Sequence, residues 1–112
     1  MIFIEIEEFT RNLRDLNIPD EVYRLFQIEL AINPEKGEMI QGTGGLRKVR
    51  MRLPGRGKSG SARVLYVWLD SASRVILCTA YTKAKTENMS GADKAEFKKL
   101  VKKLNDYYGR RT

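Results

Sequence analysis

The amino-acid sequence predicts an α+β domain in the order β-α-α-β-β-β-α. Its sheet is small and antiparallel-dominated, with two N-terminal helices and a C-terminal helix packed on one face. Two observations carry this expectation. Three runs between residues 46 and 81 read as strands, the one over 62–69 rich in β-branched and aromatic residues, and the turn between the last two is short, so they should pair as an antiparallel meander. Segments on either side of them repeat apolar residues at helical spacing. A length of 112 residues fits a single domain over 1–112.

Ile2, Ile4 and Ile6 alternate with Phe3, Glu5 and Glu7, the period-2 pattern of a short strand with one apolar face. A short helix is expected over 7–16. Asp20 is placed to cap a second, with Val22, Leu25, Phe26, Glu29 and Leu30 on one side. Asn33-Pro34 ends it, because proline disfavours helical geometry in the residue before it. Gly37, Gly42, Gly44 and Gly45 make a turn-rich connection. Strands follow over 46–53, 62–69 and 74–81, separated by a basic glycine loop at 54–60 and the turn Asp70-Ser71-Ala72-Ser73. After a polar loop at 82–89, Ser90 opens the last helix with Asp93 three residues on, a relative of the capping box. Phe97, Leu100, Val101, Leu104 and Tyr108 form its apolar stripe, with Lys98, Lys99, Lys102 and Lys103 elsewhere on its surface.

Composition narrows the function. No apolar run approaches the roughly 20 residues of a membrane-spanning helix. The opening residues carry acids and no basic lead, so no secretory signal is expected. A lone cysteine, Cys78, forms no intramolecular disulfide, and cytoplasmic residence is the expectation. Histidine is absent, which excludes a Ser-His-Asp triad, a Cys-His dyad and a histidine-bound zinc site. The net charge of +7 is unevenly spread: residues 1–40 hold four basic and nine acidic side chains, residues 41–112 seventeen and five. Such a field attracts polyanions, nucleic acid among them, or an acidic protein; it also simply keeps a surface solvated.

Between Gly45 and Arg63 there are seven basic residues and no acid. Gly57-Lys58-Ser59 invites a phosphate-loop reading, but that motif needs a glycine where Arg52 stands and a helix where a strand follows. On a strand, Lys48, Arg50 and Arg52 point to one face and Arg47, Val49 and Met51 to the other. Three adjacent cations must face solvent or an anion. Solvated edge protection is the plain alternative. Arg63 enters the most apolar strand, where an arginine is costly unless it emerges at an end or meets an anion. Tyr81, Lys83 and Lys85 follow the third strand and add a phenol and two ammoniums to the same cluster. Tyr66, Trp68 and Phe97 read as core.

Without histidine, phosphodiester cleavage would rest on lysine or tyrosine for proton transfer and on arginine for the phosphate. With the RNA 2′-hydroxyl as nucleophile, neither a metal nor a protein nucleophile is required, and the substrate must be RNA.

Three stretches carry a resemblance: Glu21-Val22-Tyr23-Arg24-Leu25-Phe26-Gln27, Asn33-Pro34-Glu35-Lys36-Gly37-Glu38, and Ile40-Gln41-Gly42-Thr43-Gly44-Gly45-Leu46-Arg47-Lys48-Val49-Arg50. With Gly55-Arg56-Gly57-Lys58-Ser59-Gly60 and Ala62-Arg63-Val64-Leu65-Tyr66, they resemble HigB-type toxins of the RelE superfamily, in order along nearly the whole chain.

The resemblance implies the toxin of a bacterial type II toxin–antitoxin pair: a cofactor-free, ribosome-dependent endonuclease that cuts messenger RNA in the ribosomal A site. Its implied partners are the ribosome with its message and a HigA-like antitoxin carrying a helix-turn-helix domain. Operator DNA would be reached only through that complex, and no membrane is involved. By position, Arg47, Lys48 and Arg50 match the strand that grips RNA, and Arg63 matches the transition-state stabiliser. Arg52, Arg56, Lys58 and Lys85 join the RNA- and ribosome-binding set, and Lys83 falls where the family carries a basic residue. Tyr81 is the proton-transfer candidate. Some relatives use a tyrosine nearer the C-terminus, where Tyr107 and Tyr108 stand, so the general base stays open. Two other functions remain: a ParE-like gyrase poison of the same fold, and a non-catalytic basic binding module.

Overall fold

In the computed structural model, which describes residues 1–55, 60–82 and 89–109, the chain runs β1 (Ile2–Glu5), α1 (Glu7–Asp15), α2 (Asp20–Ile32), β2 (Glu38–Met39), β3 (Leu46–Arg52), β4 (Ser61–Leu69), β5 (Arg74–Thr82) and α3 (Gly91–Tyr108). A 3-10 turn at Asp70–Ala72 links β4 to β5. The sheet order is β1-β5-β4-β3-β2. β3, β4 and β5 form the expected antiparallel meander. β1 lies beside β5 in parallel, with Ile4 opposite Ile76, so the sheet is mixed. β2 adds to the expected order: Glu38 pairs with Lys48 and Met39 with Arg47.

The helices do not share one face, and the expectation that they would is corrected. Phe9 of α1 and Phe26 and Leu30 of α2 pack with Val49, Met51, Ala62, Val64 and Tyr66 on one side. Val101 and Leu104 of α3 pack with Leu46, Leu65, Val67, Ile76 and Cys78 on the other. β4 explains why. Its residues 62–67 are buried without a break, so neither face tolerates water and each needs its own cover.

The cap assigned to Asp20 is also corrected. Asp20 is the first helical residue of α2, Pro19 holds the cap position, and no side chain bonds there. Asp20 and Glu21 instead place negative charge in the first turn, where the helix dipole favours it. Phe26 and Leu30 supply the buried face of α2, whereas Leu25 and Glu29 are exposed. α3 has the full capping box: Ser90 Oγ accepts the Asp93 amide at 3.0 Å, and the Asp93 carboxylate accepts the Ser90 amide at 3.3 Å. At its other end Arg74 donates to the Tyr108 carbonyl at 3.2 Å. Ser71 donates to the Gly109 carbonyl at 3.3 Å, so β5 and the 3-10 turn satisfy the terminal acceptors.

Two turns set the height of β3. Thr43 is fully buried; its hydroxyl donates to the Ile40 carbonyl at 2.6 Å and accepts the Leu46 amide at 3.1 Å, which closes the β2–β3 connection. The Tyr66 hydroxyl accepts the Gly37 amide at 2.9 Å and donates to the Pro34 carbonyl at 2.7 Å. Only glycine fits at 37, because a Cβ there would stand 2.8 Å from the Tyr66 ring.

One irregularity bears on the site. Tyr66 pairs with Leu77 but Leu65 pairs with Thr79, so β5 carries an extra residue at a β-bulge. Beyond the bulge the faces of β5 are reversed relative to an unbroken strand.

Candidate active site

On β3 the period-2 rule separates the basic residues. Val49 and Met51 are buried beneath α1 and α2, which puts Lys48 and Arg50 on the α3 side, whereas Arg52, at the strand's end, lines a cleft on the α2 side. Across the sheet, Arg50 is opposite Arg63, and Arg63 is opposite Tyr81. These three side chains form one row over three strands, each neighbouring pair of Cβ atoms about 5 Å apart. Arg63 is only 8% exposed, whereas Arg50 is open to solvent. Tyr81 is partly buried against the apolar cluster beneath α3, which holds its ring beside the row.

A cleft of about 330 Å³ opens at the Arg50–Arg63 end of this row, lined by Lys36, Glu38, Lys48, Val49, Arg50 and Arg63, with Tyr81 beyond its lining on the next strand. Its described lining has four cations and one carboxylate, a match for a polyanion. Guanidinium groups present paired N–H donors that fit two phosphate oxygens at once, and burial makes the Arg63 pair stronger than it would be in water. Sequence reasoning missed Lys36 and Glu38. Both stand in a turn-rich stretch, and the β2–β3 pairing that brings Glu38 opposite Lys48 has no local signal. Among the described residues, no three His, Cys, Asp or Glu side chains gather as a metal would require.

The other expected residues lie elsewhere. Arg47 is on the opposite face, where its guanidinium donates to the Gly37 carbonyl at 2.8 Å and the Glu35 carbonyl at 3.2 Å. Its charge also lies 3.9 Å from the Glu35 carboxylate, so it braces the turn before β2 and is not brought to the cleft. Arg52 is exposed at the end of β3, against a separate cleft lined by Val22, Leu25, Phe26 and Met51. Arg56, Lys58, Lys83 and Lys85 lie outside the described residues. Burial raises the Tyr66 phenol above its ordinary range, against the smaller pull of the Gly37 amide and the Arg47 charge. It is therefore a neutral donor at physiological pH, fixed in the turn and not in the cleft.

A family model described as the RelE toxin of the RelE/RelB toxin–antitoxin system matches residues 2–111. The chain belongs to the RelE toxin family. The expected superfamily is thereby established, and with it the place of this chain as the toxin half of a toxin–antitoxin pair, with an antitoxin as partner. The fold is similar to that of an E. coli RelE toxin, solved in the free state as a double arginine-to-alanine mutant. The match has a TM-score of 0.51 at 16% identity and covers 75% of this chain and 85% of that one. At that identity the likeness is one of fold: three helices on a five-stranded mixed sheet. Among the described residues of this RelE-family toxin, no helix is long and apolar enough to cross a membrane.

Proposed function

We propose that this RelE-family toxin is a ribosome-dependent messenger-RNA endonuclease of the HigB type, acting in the cytoplasm and held in check by a HigA-like antitoxin. The observation that carries the reading is the row Arg50–Arg63–Tyr81 beside Lys48, a buried guanidinium within a cationic cleft.

The reaction is an internal transfer. The 2′-hydroxyl of one nucleotide attacks the adjacent phosphorus, the bond to the 5′-oxygen of the next nucleotide breaks, and a 2′,3′-cyclic phosphate and a 5′-hydroxyl result. One proton leaves the 2′-oxygen and one reaches the departing 5′-oxygen. Tyr81 and Lys83 are the groups assigned to that exchange. Arg63, with Lys48 and Arg50, holds the phosphate and stabilises the charge that builds on its oxygens. Arg52, Arg56, Lys58 and Lys85 are assigned to contacts with ribosomal RNA and message. The chemistry calls for no cofactor.

Induction of the chain alone in a bacterial host, beside Arg63→Ala at matched expression, tests the reading by primer extension on translated messages. In-frame cuts and growth arrest, both absent from a variant that still folds and binds antitoxin, are expected. DNA damage with intact messages would instead indicate a gyrase poison, and full toxicity of Arg63→Ala would remove that residue from the mechanism.

A further inference from the structure

The bulge in β5 decides which residue faces Arg63. In an unbroken register, continued from Tyr66 opposite Leu77, Arg63 would meet Ala80, and Tyr81 would turn toward α1 and α2. The observed faces are the reverse: Ala80 packs in the cluster under α1 and α2, and Tyr81 in the one under α3.

A bulge leaves backbone groups displaced from the ladder, and one side chain meets them here. The Oδ1 of Asn12, on α1, accepts the Ala80 amide at 2.9 Å. It also lies 3.0 Å from the Thr79 hydroxyl. That hydroxyl has a single proton and a second acceptor, the Glu8 carboxylate at 2.7 Å, which takes it as the shorter, charge-assisted bond. The Ala80 amide is thus the bond Asn12 contributes alone. Asn12 sits across the sheet from the cleft, so it touches neither Arg63 nor any RNA held there.

We infer that Asn12 is a positioning residue for the Arg50–Arg63–Tyr81 row: by holding the Ala80 amide it keeps the bulge in place and so keeps Tyr81 on the Arg63 face. The inference rests on the endonuclease reading for its functional consequence, and on the backbone pairing for its geometry.

Two measurements on the full chain separate these. Cross-strand backbone NOEs report the register directly. In Asn12→Ala they should weaken between Arg63 and Tyr81 and appear between Arg63 and Ala80. Message cleavage should fall at least tenfold, with no further loss when Asn12→Ala is added to Tyr81→Phe. Deletion of Thr79 supplies the test that a merely structural role would fail. It restores simple alternation, with Cys78, Ala80 and Tyr81 on their present faces and no bulge to hold. The deletion chain should cleave within a few fold of wild type, and in it Asn12→Ala should cost nothing, even if Asn12→Ala alone does not fold. Unchanged Arg63–Tyr81 NOEs in Asn12→Ala would overturn the inference. So would a tenfold loss on adding Asn12→Ala to the deletion chain, or a folded deletion chain without cleavage. If the wild-type chain cleaves nothing, the endonuclease reading fails, while the NOEs still decide whether Asn12 sets the register.

Discussion

Arg50 and Arg63 stand directly opposite one another on β3 and β4, two cations side by side on one face of the sheet. Like charges so placed lose roughly 0.2–1 kcal/mol relative to a neutral pair. Arg63 carries its charge at 8% exposure, in a strand that is otherwise apolar from Ala62 to Leu69 apart from the Tyr66 hydroxyl. Two cations side by side at the cleft suit an anion there, and stability and function can be tested apart at this pair.

Arg50→Gln therefore separates the two. It should raise stability by up to about 1 kcal/mol in urea denaturation, since it removes the repulsion and keeps the stem. Toxicity should fall in the same variant. A loss of stability would show that Arg50 is held by attraction rather than tolerated.

Arg47 and Lys48 are neighbours in sequence with opposite roles. Arg47→Ala leaves the Gly37 and Glu35 carbonyls without their guanidinium partner. It should cost about 1–3 kcal/mol, while the salt dependence of ribosome binding stays as in wild type. Lys48→Ala should do the reverse, lowering the log–log salt slope by about 0.7–0.9 for one lost phosphate contact. Equal slopes for the two variants would mean that Lys48 meets no phosphate.

Tyr66→Phe removes one hydroxyl and strands both a buried amide donor at Gly37 and the Pro34 carbonyl. A loss of about 1–3 kcal/mol is expected. Gly37→Ala should be at least as damaging, because its Cβ meets the Tyr66 ring at 2.8 Å and the Lys48 carbonyl at 2.9 Å. Thermal denaturation of both variants checks this, and wild-type melting of Gly37→Ala would show that the turn yields.

Alkali should unfold the protein in stages. Burial pushes the Cys78 thiol from 9.0 up to about 12, with a smaller contribution from the Glu8 charge. The folded state thus prefers the protonated thiol, and its stabilising effect is whole below about pH 9 and lost as pH climbs toward 12. The phenols of Tyr23 and Tyr66 are raised in the same sense, so they add losses above about pH 10. Denaturation midpoints measured from pH 7 to 11 should be level at first and then fall. In Cys78→Ala the decline should begin near pH 10; onset still near pH 9 would assign it elsewhere.

Much of this was legible in the residues. The meander of β3, β4 and β5 follows from three strand-like runs, and the capping box from Ser90 and Asp93. The facing of Lys48 and Arg50 follows from alternation alone. β2 was not legible, because two residues in a glycine-rich stretch have no period to read. The bulge was hidden for a related reason: Val75 to Ala80 is nearly all small or apolar, so a change of face leaves no trace in the pattern. The apolar run from Val64 to Leu69 in β4 did hold the clue that both faces are covered. Asn12 lies in a short helix with no motif around it, and its partner, the Ala80 amide, is visible only once the strands are paired.

The parallel place of β1 beside β5 also has a consequence in time. Chains emerge N-terminus first, at about 5–20 residues per second, and β1, α1 and α2 come out before the meander they pack against. Ile2–Glu5 can join the sheet only when Arg74–Leu77 has appeared. Tyr81 takes its place opposite Arg63 later still. The row Arg50–Arg63–Tyr81 is thus completed late in synthesis. In this toxin it is whole only when all five strands have been made.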